Sequence, residues 1–127
     1  MCGINGIYGI KNSEEAQSKL KKMNDALAHR GPDDEGVYFA NEMALGHRRL
    51  SIIDLSAAGH QPMSSSDGRY TIVYNGELYN YKKIKLDLQR VTRDDSPENT
   101  NFIFRTNTDT EVILAAYIRW GKECLQQ

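Results

Sequence analysis

Met1-Cys2-Gly3-Ile4-Asn5-Gly6-Ile7-Tyr8 opens the chain, and the rest of the fold is read outward from it. From Gly3 to Ile10 the residues Ile4, Ile7, Tyr8 and Ile10 favour extended structure, while three glycines allow close backbone approach. The stretch therefore reads as a strand with something packed hard against it. Cys2 stands just ahead of that strand. Removal of Met1 would make it the first residue, with a thiol on the same carbon skeleton as a free α-amine of ordinary pKa about 7.7–8.0. One residue would then supply both nucleophile and base. Taken alone, a cysteine at position two is more often incidental.

Beyond the first strand, Ser13 offers an N-cap, Glu14 and Glu15 complement a helix N-terminus, and Ala16, Leu20, Met23 and Leu27 recur at helical spacing. This predicts a helix of about four turns. It should stop at His29, before the breaker-rich acidic loop Arg30-Gly31-Pro32-Asp33-Asp34-Glu35-Gly36. Strands are expected over Val37–Ala40, Met43–Gly46 and Leu50–Ile53, the first two forming a hairpin around Glu42. Ser56–Gly68 reads as loop. Tyr70–Tyr74 reads as a strand running into Asn75-Gly76. Asn80 is the expected cap of a helix over Tyr81–Gln89, whose Lys82, Lys83 and Lys85 look like a solvated face. The polar stretch 92–101 reads as a mobile surface loop and Phe102–Thr106 as a strand. Thr108 and Glu111 form a capping box for a helix that carries Asp109 in its first turn and ends before Gly121.

Composition bounds what such a chain can do. It has 127 residues, 39% hydrophobic and 26% charged, the make-up of one soluble globular domain. Sixteen Lys and Arg against seventeen Asp and Glu leave a net charge of -1, so neither a nucleic-acid nor a membrane partner is expected. No apolar run approaches the roughly 18 residues of a membrane span, and the N-terminus lacks a signal-peptide pattern. A cytoplasmic protein is expected. Cys2 and Cys124 are too far apart in sequence for a C-x-x-C motif or a zinc cluster, and no metal site is expected; Cys124 reads as a small buried apolar side chain. No phosphate-binding loop is present.

Besides Cys2, three features could carry chemistry. Asn75-Gly76 is either a tight hairpin turn or an oxyanion hole, in which an Asn amide and an unhindered Gly N–H supply the donor pair that a tetrahedral intermediate needs. Arg48 and Arg49 precede an apolar run, so at least one guanidinium is held against a buried strand; it either grips a carboxylate or makes a structural ion pair. Asp109, at a capped helix start, either pairs with a substrate ammonium or complements the helix dipole. His29, His47 and His60 lack metal-ligand spacing and are assigned no catalytic role.

Together these features resemble one family closely: the class II glutamine amidotransferase domain, an N-terminal nucleophile hydrolase, of the glutamine-hydrolysing asparagine synthetases. The matching segments are M-C-G-I-N-G-I-Y at 1–8, H-R-G-P-D-D-E-G at 29–36, H-R-R-L-S-I-I-D-L-S at 47–56, G-H-Q-P-M at 59–63, Y-N-G-E-L-Y-N-Y at 74–81 and T-D-T-E-V at 108–112. They run in family order over nearly the whole chain. The resemblance implies an α+β fold, a four-layer αββα sandwich of two antiparallel sheets between helices. It implies that Cys2 attacks the side-chain amide of L-glutamine, that ammonia leaves and that water releases glutamate. In that scheme Asn75 and Gly76 form the oxyanion hole and Arg49 holds the α-carboxylate. Glu77 and Asp109 place the α-ammonium and side chain, and the backbone of Leu50, Ser51, Ile52 and Ile53 lines the pocket.

The family continues into further strands and then into an ATP- and magnesium-dependent synthetase domain that makes asparagine from aspartate. Residues 1–127 thus correspond to the N-terminal part of the amidotransferase domain, in which no cofactor is expected. An exposed apolar face or sheet edge is expected on the C-terminal side, to be covered in a homo-oligomer. The rival functions are a class II amidotransferase with a different ammonia acceptor and a non-catalytic glutamine-binding relative. A chain that kept Met1 should be inactive, because the Cys2 nitrogen would be an amide.

Overall fold

Met43–Arg49 is the central strand of the larger sheet, and both of its neighbours precede it in sequence. The computed structural model describes residues 1–11, 13–52, 54–90 and 102–127. Within them, β1 (Gly3–Tyr8), α1 (Ser13–Ala26), β2 (Asp34–Ala40) and β3 (Met43–Arg49) form the first half of the chain. The sheet order is β1-β3-β2, all antiparallel, with Gly3 opposite Arg48 and Asp34 opposite Arg49. The expected β2–β3 hairpin forms, turning at Asn41, whose φ is 52°.

Side chains alternate along a strand, so Ala44, Gly46 and Arg48 face one side of β3 and Leu45, His47 and Arg49 the other. The first side receives α1. Ala16, Leu20 and Asn24 recur every four residues on that helix and are all buried. Asn24 has no exposed surface, and its amide is satisfied from three directions. Its Oδ1 accepts from Asn5 Nδ2 at 2.6 Å, and its Nδ2 donates to Glu35 Oε1 at 3.0 Å and more weakly to the Gly36 carbonyl. Glu35 in turn takes Arg48 Nη1 at 2.7 Å. This polar seam fixes the rotation of α1 over the sheet.

The second half is a two-stranded antiparallel ribbon, β4 (Met63–Ser64) and β5 (Thr71–Ile72), with α2 (Tyr81–Gln89) and α3 (Asp109–Trp120). Ile84, Leu88, Val112, Ala115 and Ala116 make its buried core, against which Leu78, Phe102, Phe104 and Trp120 pack. Cys124 lies half-buried on this core. The chain is thus a mixed α/β fold with antiparallel sheets, α1 on the three-stranded sheet and α3 beside β5. Among the described residues, no helix is long and apolar enough to cross a membrane. Exposed apolar side chains do occur on the C-terminal side, at Ile103, Tyr117 and Leu125.

Several local expectations need correction. The expected strand Leu50–Ile53 is absent over 50–52, because β3 ends at Arg49 and the next two N–H groups turn to side chains: Leu50 to Cys2 Sγ and Ser51 to Asp33 Oδ2. Phe102–Thr106 is not a strand either, since the Glu111 carboxylate takes the N–H groups of Arg105 and Thr106 at 2.9 and 2.7 Å. The capping box is consequently half made. Thr108 Oγ1 accepts from Glu111 N–H, but Glu111 does not reach back to Thr108, whose own N–H goes to Thr106 Oγ1. Asn80 makes no side-chain cap and donates instead to the Gln127 carbonyl. Lys85 is not solvated like Lys82 and Lys83: its ammonium lies 4.7 Å from the Phe104 ring and donates to the Thr106 carbonyl. The expected loop 56–68 contains a 3-10 turn over Ala57–Gly59 and strand β4, the strand at 70–74 shortens to β5, and α1 stops at Ala26. The stretch 92–100 of the expected loop, with residue 101, lies outside the described residues, as does Ile53.

Leu20, with no exposed surface, should be a strong determinant of stability. Leu20→Ala is expected to cost about 2–5 kcal/mol through lost burial and a residual cavity. Leu125→Ala, at an exposed position, should stay within about 0.5 kcal/mol. Urea midpoints of the two variants check the contrast.

Candidate active site

Cys2 continues β1 one residue past the Gly3–Arg48 pair, which carries its side chain to the point where β3 ends. The Leu50 N–H donates to Cys2 Sγ at 3.3 Å, and the sulfur lies 3.6 Å from the Leu50 carbonyl oxygen. The thiol is thereby fixed at one wall of a cavity of about 410 Å³, within the usual range for small-molecule sites. Leu50 and Ile52 line the same cavity. Ser51 does not; it lines a neighbouring, more open cavity of about 600 Å³ with Asp33, Asp34 and His60.

Arg49 is 7% exposed and borders both cavities. Its Nη1 donates to the Ser56 carbonyl at 2.7 Å and its Nη2 to the Asp54 carbonyl. Among the described residues it makes no ion pair, so the structural ion pair considered for the Arg48-Arg49 couple falls to Arg48 and Glu35 alone. Strand alternation makes the division: Arg48 faces the α1 side, and Arg49 faces the cavity as a guanidinium held by neutral carbonyls.

Asn75 and Gly76 line the cavity and do not form the tight hairpin turn. β5 ends at Ile72 and pairs backward with β4, no strand follows among the described residues, and neither residue has the positive φ that a type I′ turn requires. Side chains hold the loop at both ends. At one end the Tyr74 N–H donates to Gln61 Oε1 at 2.6 Å, and the Tyr74 carbonyl lies 3.3 Å from His47 Nε2. At the other, the Leu78 N–H donates to Asp109 Oδ2 at 3.0 Å. Asp109 is 6% exposed, the first residue of α3, and lines the cavity together with the exposed Glu77. The Tyr74 phenol folds over Gly76, where a Cβ would meet its hydroxyl at 2.7 Å. Burial, and then the negative charges of Asp109 and Glu77, push that phenol above its ordinary pKa.

The cavity therefore brings together a thiol, one guanidinium, an Asn-Gly pair and the carboxylate residues Asp54, Glu77 and Asp109. Cys2, Arg49, Leu50, Ile52, Asn75, Gly76, Glu77 and Asp109 meet as a set; Ser51 is turned away and Ile53 is outside the described residues. Gln61, Tyr74 and Thr110 were not singled out from the sequence. His47 was assigned no chemistry, yet the period of two from Arg49 places it on the same face of β3. It is completely buried, and burial lowers its pKa; Arg49 and His60 act in the same direction, while the Tyr74 carbonyl and Asp34 oppose it. The neutral ring must carry its proton on Nε2 to donate to that carbonyl.

The chain matches the family model of the glutamine amidotransferase domain over residues 1–127. It is 40% identical to a Methanocaldococcus jannaschii protein provisionally named asparagine synthetase (glutamine-hydrolyzing) 2, over 100% of this chain and 26% of the relative. It is 36% identical to asparagine synthetase (glutamine-hydrolyzing) 1 of Bacillus subtilis, over 97% of this chain and 18% of the relative. Identity to asparagine synthetase B (glutamine-hydrolyzing) of Escherichia coli is 34%, over 98% and 21%. The chain thus spans about a quarter or less of the length of these relatives.

The buried neutral imidazole has a consequence for pH. An unfolded histidine takes up a proton near pH 6.5, whereas folded His47 resists it until lower pH. The unfolded state then binds more protons, so stability should fall as pH drops below about 6.5 and continue to fall until the folded pKa is passed. Thermal melts from pH 7.5 to 5.5 should show this loss, and His47→Gln should flatten it; equal slopes would contradict the assignment.

Proposed function

The chain belongs to the glutamine amidotransferase domain family, and from that membership we propose that it hydrolyses glutamine with Cys2 as an N-terminal nucleophile. Removal of Met1 frees the Cys2 α-amine, which takes the thiol proton as Sγ attacks the side-chain amide carbon of glutamine. The carbonyl oxygen becomes an oxyanion that accepts hydrogen bonds from the Asn75 side-chain amide and the Gly76 N–H, donors worth about 2.7–4 kcal/mol each. Collapse breaks the C–N bond, and the leaving nitrogen takes the proton back from the ammonium and departs as ammonia. Water then adds to the γ-glutamyl thioester, the amine again accepting a proton, and glutamate leaves with the thiol restored.

Arg49 holds the substrate α-carboxylate and Asp109 and Glu77 its α-ammonium. The Oδ2 of Asp109 is committed to Leu78 N–H, and among the described residues Oδ1 is free for the ammonium. Leu50 and Ile52 supply cavity wall; Ser51 and Ile53 belong to the same inherited segment. One observation carries the proposal: four chain segments far apart in sequence deliver Cys2, Arg49, the adjacent Asn75 and Gly76, and Asp109 to one cavity. An amino-acid substrate needs one cation, one anion and one oxyanion site, and the cavity offers all three. Nucleophile, base and donors are protein groups, so the hydrolysis as proposed draws on no cofactor.

The fold supports a further step of this proposal, the four-layer αββα arrangement of N-terminal nucleophile hydrolases: α1 on the β1-β3-β2 sheet, then the β4-β5 ribbon, then α3. In the complete cytoplasmic protein the ammonia would pass to a C-terminal synthetase domain that uses ATP and magnesium to make asparagine from aspartate. The names of the relatives support that partner and product.

Mass spectrometry of active full-length protein should find Cys2 as the first residue; full glutaminase activity with Met1 attached would overturn the mechanism. Cys2→Ala should abolish glutamine-dependent synthesis and leave ammonia-dependent synthesis within about threefold. Loss of both would make Cys2 structural.

A further inference from the structure

We propose that His47 and Gln61 are positioning residues that clamp the Tyr74 peptide units from both sides and so preset the oxyanion donors Asn75 and Gly76. This rests on the glutaminase mechanism above and extends it to two residues outside its reacting groups: His47, which does not line the cavity, and Gln61, which does. The backbone of residue 74 immediately precedes both donors, and both of its polar groups are taken by buried side chains. Gln61 Oε1 accepts the Tyr74 N–H at 2.6 Å, and His47 Nε2 donates to the Tyr74 carbonyl at 3.3 Å. Gln61 is itself anchored to α3, where its Nε2 donates to Thr110 Oγ1 at 3.1 Å.

The two arms of the clamp reach Tyr74 by independent routes. His47 is set by the β3 ladder, opposite Gly36 of β2. Gly36 has no side chain, and the Gln61 carbonyl occupies the space a Cβ would need, which brings the Gln61 segment against the same face of the sheet. The Asp109 bond to Leu78 N–H closes the other end of the loop. Packing alone does not account for the imidazole. Its Nδ1 is buried without a protein partner among the described residues, which an apolar ring of similar size would avoid. The group it serves is the Tyr74 carbonyl. A loop held only by its own backbone would leave two donors to be ordered during each turnover, and a misplacement of 1 Å can cost about 100-fold in rate.

The test uses full-length protein with Met1 removed and two pairs of variants. His47→Leu and Gln61→Met delete the hydrogen bonds to Tyr74. His47→Gln keeps a donor at the Nε2 position, and Gln61→Glu keeps an acceptor for the Tyr74 N–H. Competent sites are counted by titrating Cys2 with a γ-diazoketone analogue of glutamine, so that a misfolded fraction does not enter the rate. The deleting variants should lose about 10–100-fold in glutaminase kcat per titrated site with KM changed less than about threefold; the conservative variants should recover most of that loss. Unchanged kcat per site in the deleting variants, or a loss that falls wholly on KM or on the number of titrated sites, would overturn the clamp. Amide hydrogen exchange supplies a readout independent of turnover. His47→Leu and Gln61→Met should speed exchange at Asn75 and Gly76 at least tenfold while Val112 and Ala115 in α3 stay protected. Unchanged exchange at 75 and 76 would overturn the clamp even in a protein with no glutaminase activity, whereas loosened exchange in such a protein would leave the clamp standing and remove the glutaminase reading.

Discussion

Strand alternation along Met43–Arg49 is the constraint on which the rest of this molecule hangs. β3 is paired on both edges, so its register is fixed by two ladders at once, and a one-residue slip would exchange its faces completely. The present register puts Arg48 with Glu35 under α1 and turns His47 and Arg49 to the opposite layer. Slipped by one, the cavity would receive Arg48 in place of Arg49, and the carbonyl of Tyr74 would lose its donor. The end of the strand matters as much as its middle. By leaving the ladder at Leu50, the chain frees an N–H for the Cys2 sulfur and sends the next one to Asp33.

The two halves of the molecule meet through polar groups more than through a continuous apolar layer. The buried cluster of Ile84, Leu88, Val112, Ala115 and Ala116 belongs to α2 and α3, while Leu20 and Ala16 belong to α1 on the far side of the sheet. Between them lie the buried His47, Arg49, Gln61, Thr108, Asp109 and Thr110. Buried polar groups are costly unless partnered, and most of these are partnered across segments distant in sequence. That cost is acceptable at a site whose proposed work is to hold donors and charges in place before a substrate arrives.

Much of this was legible in the sequence, and unevenly so. Helical period and end signals located α2 and α3 to the residue, and the breaker run at 30–36 bounded α1 within three residues. The cysteine, the arginine, the Asn-Gly pair and the aspartate were recognisable because each is a residue type with a narrow range of uses. The described residues 50–52 of the expected strand Leu50–Ile53, and Phe102–Thr106, misled, because both have strand composition and both give backbone N–H groups to side chains: Cys2 and Asp33 in one case, Glu111 in the other. Composition does not reveal such competition for backbone N–H groups. Gln61 lies in the matching segment G-H-Q-P-M, but its contacts were invisible for the same reason, since they depend on how its carbonyl packs against Gly36. His47 could have been found: a period of two from Arg49 on a strand is a signal, and spacing searches for metal ligands do not use it.

The proposed chemistry converges on the Cys2 sulfur beside Leu50, with Asn75 and Gly76, the proposed oxyanion donors, lining the same cavity. The most direct measurement is acid-quenched peptide mapping of the protein during glutamine turnover. The account predicts a γ-glutamyl adduct on the N-terminal peptide, located at Cys2, in chains that lack Met1. Steady glutamine hydrolysis with no adduct at Cys2 under single-turnover sampling, or an adduct borne by another residue, would contradict it.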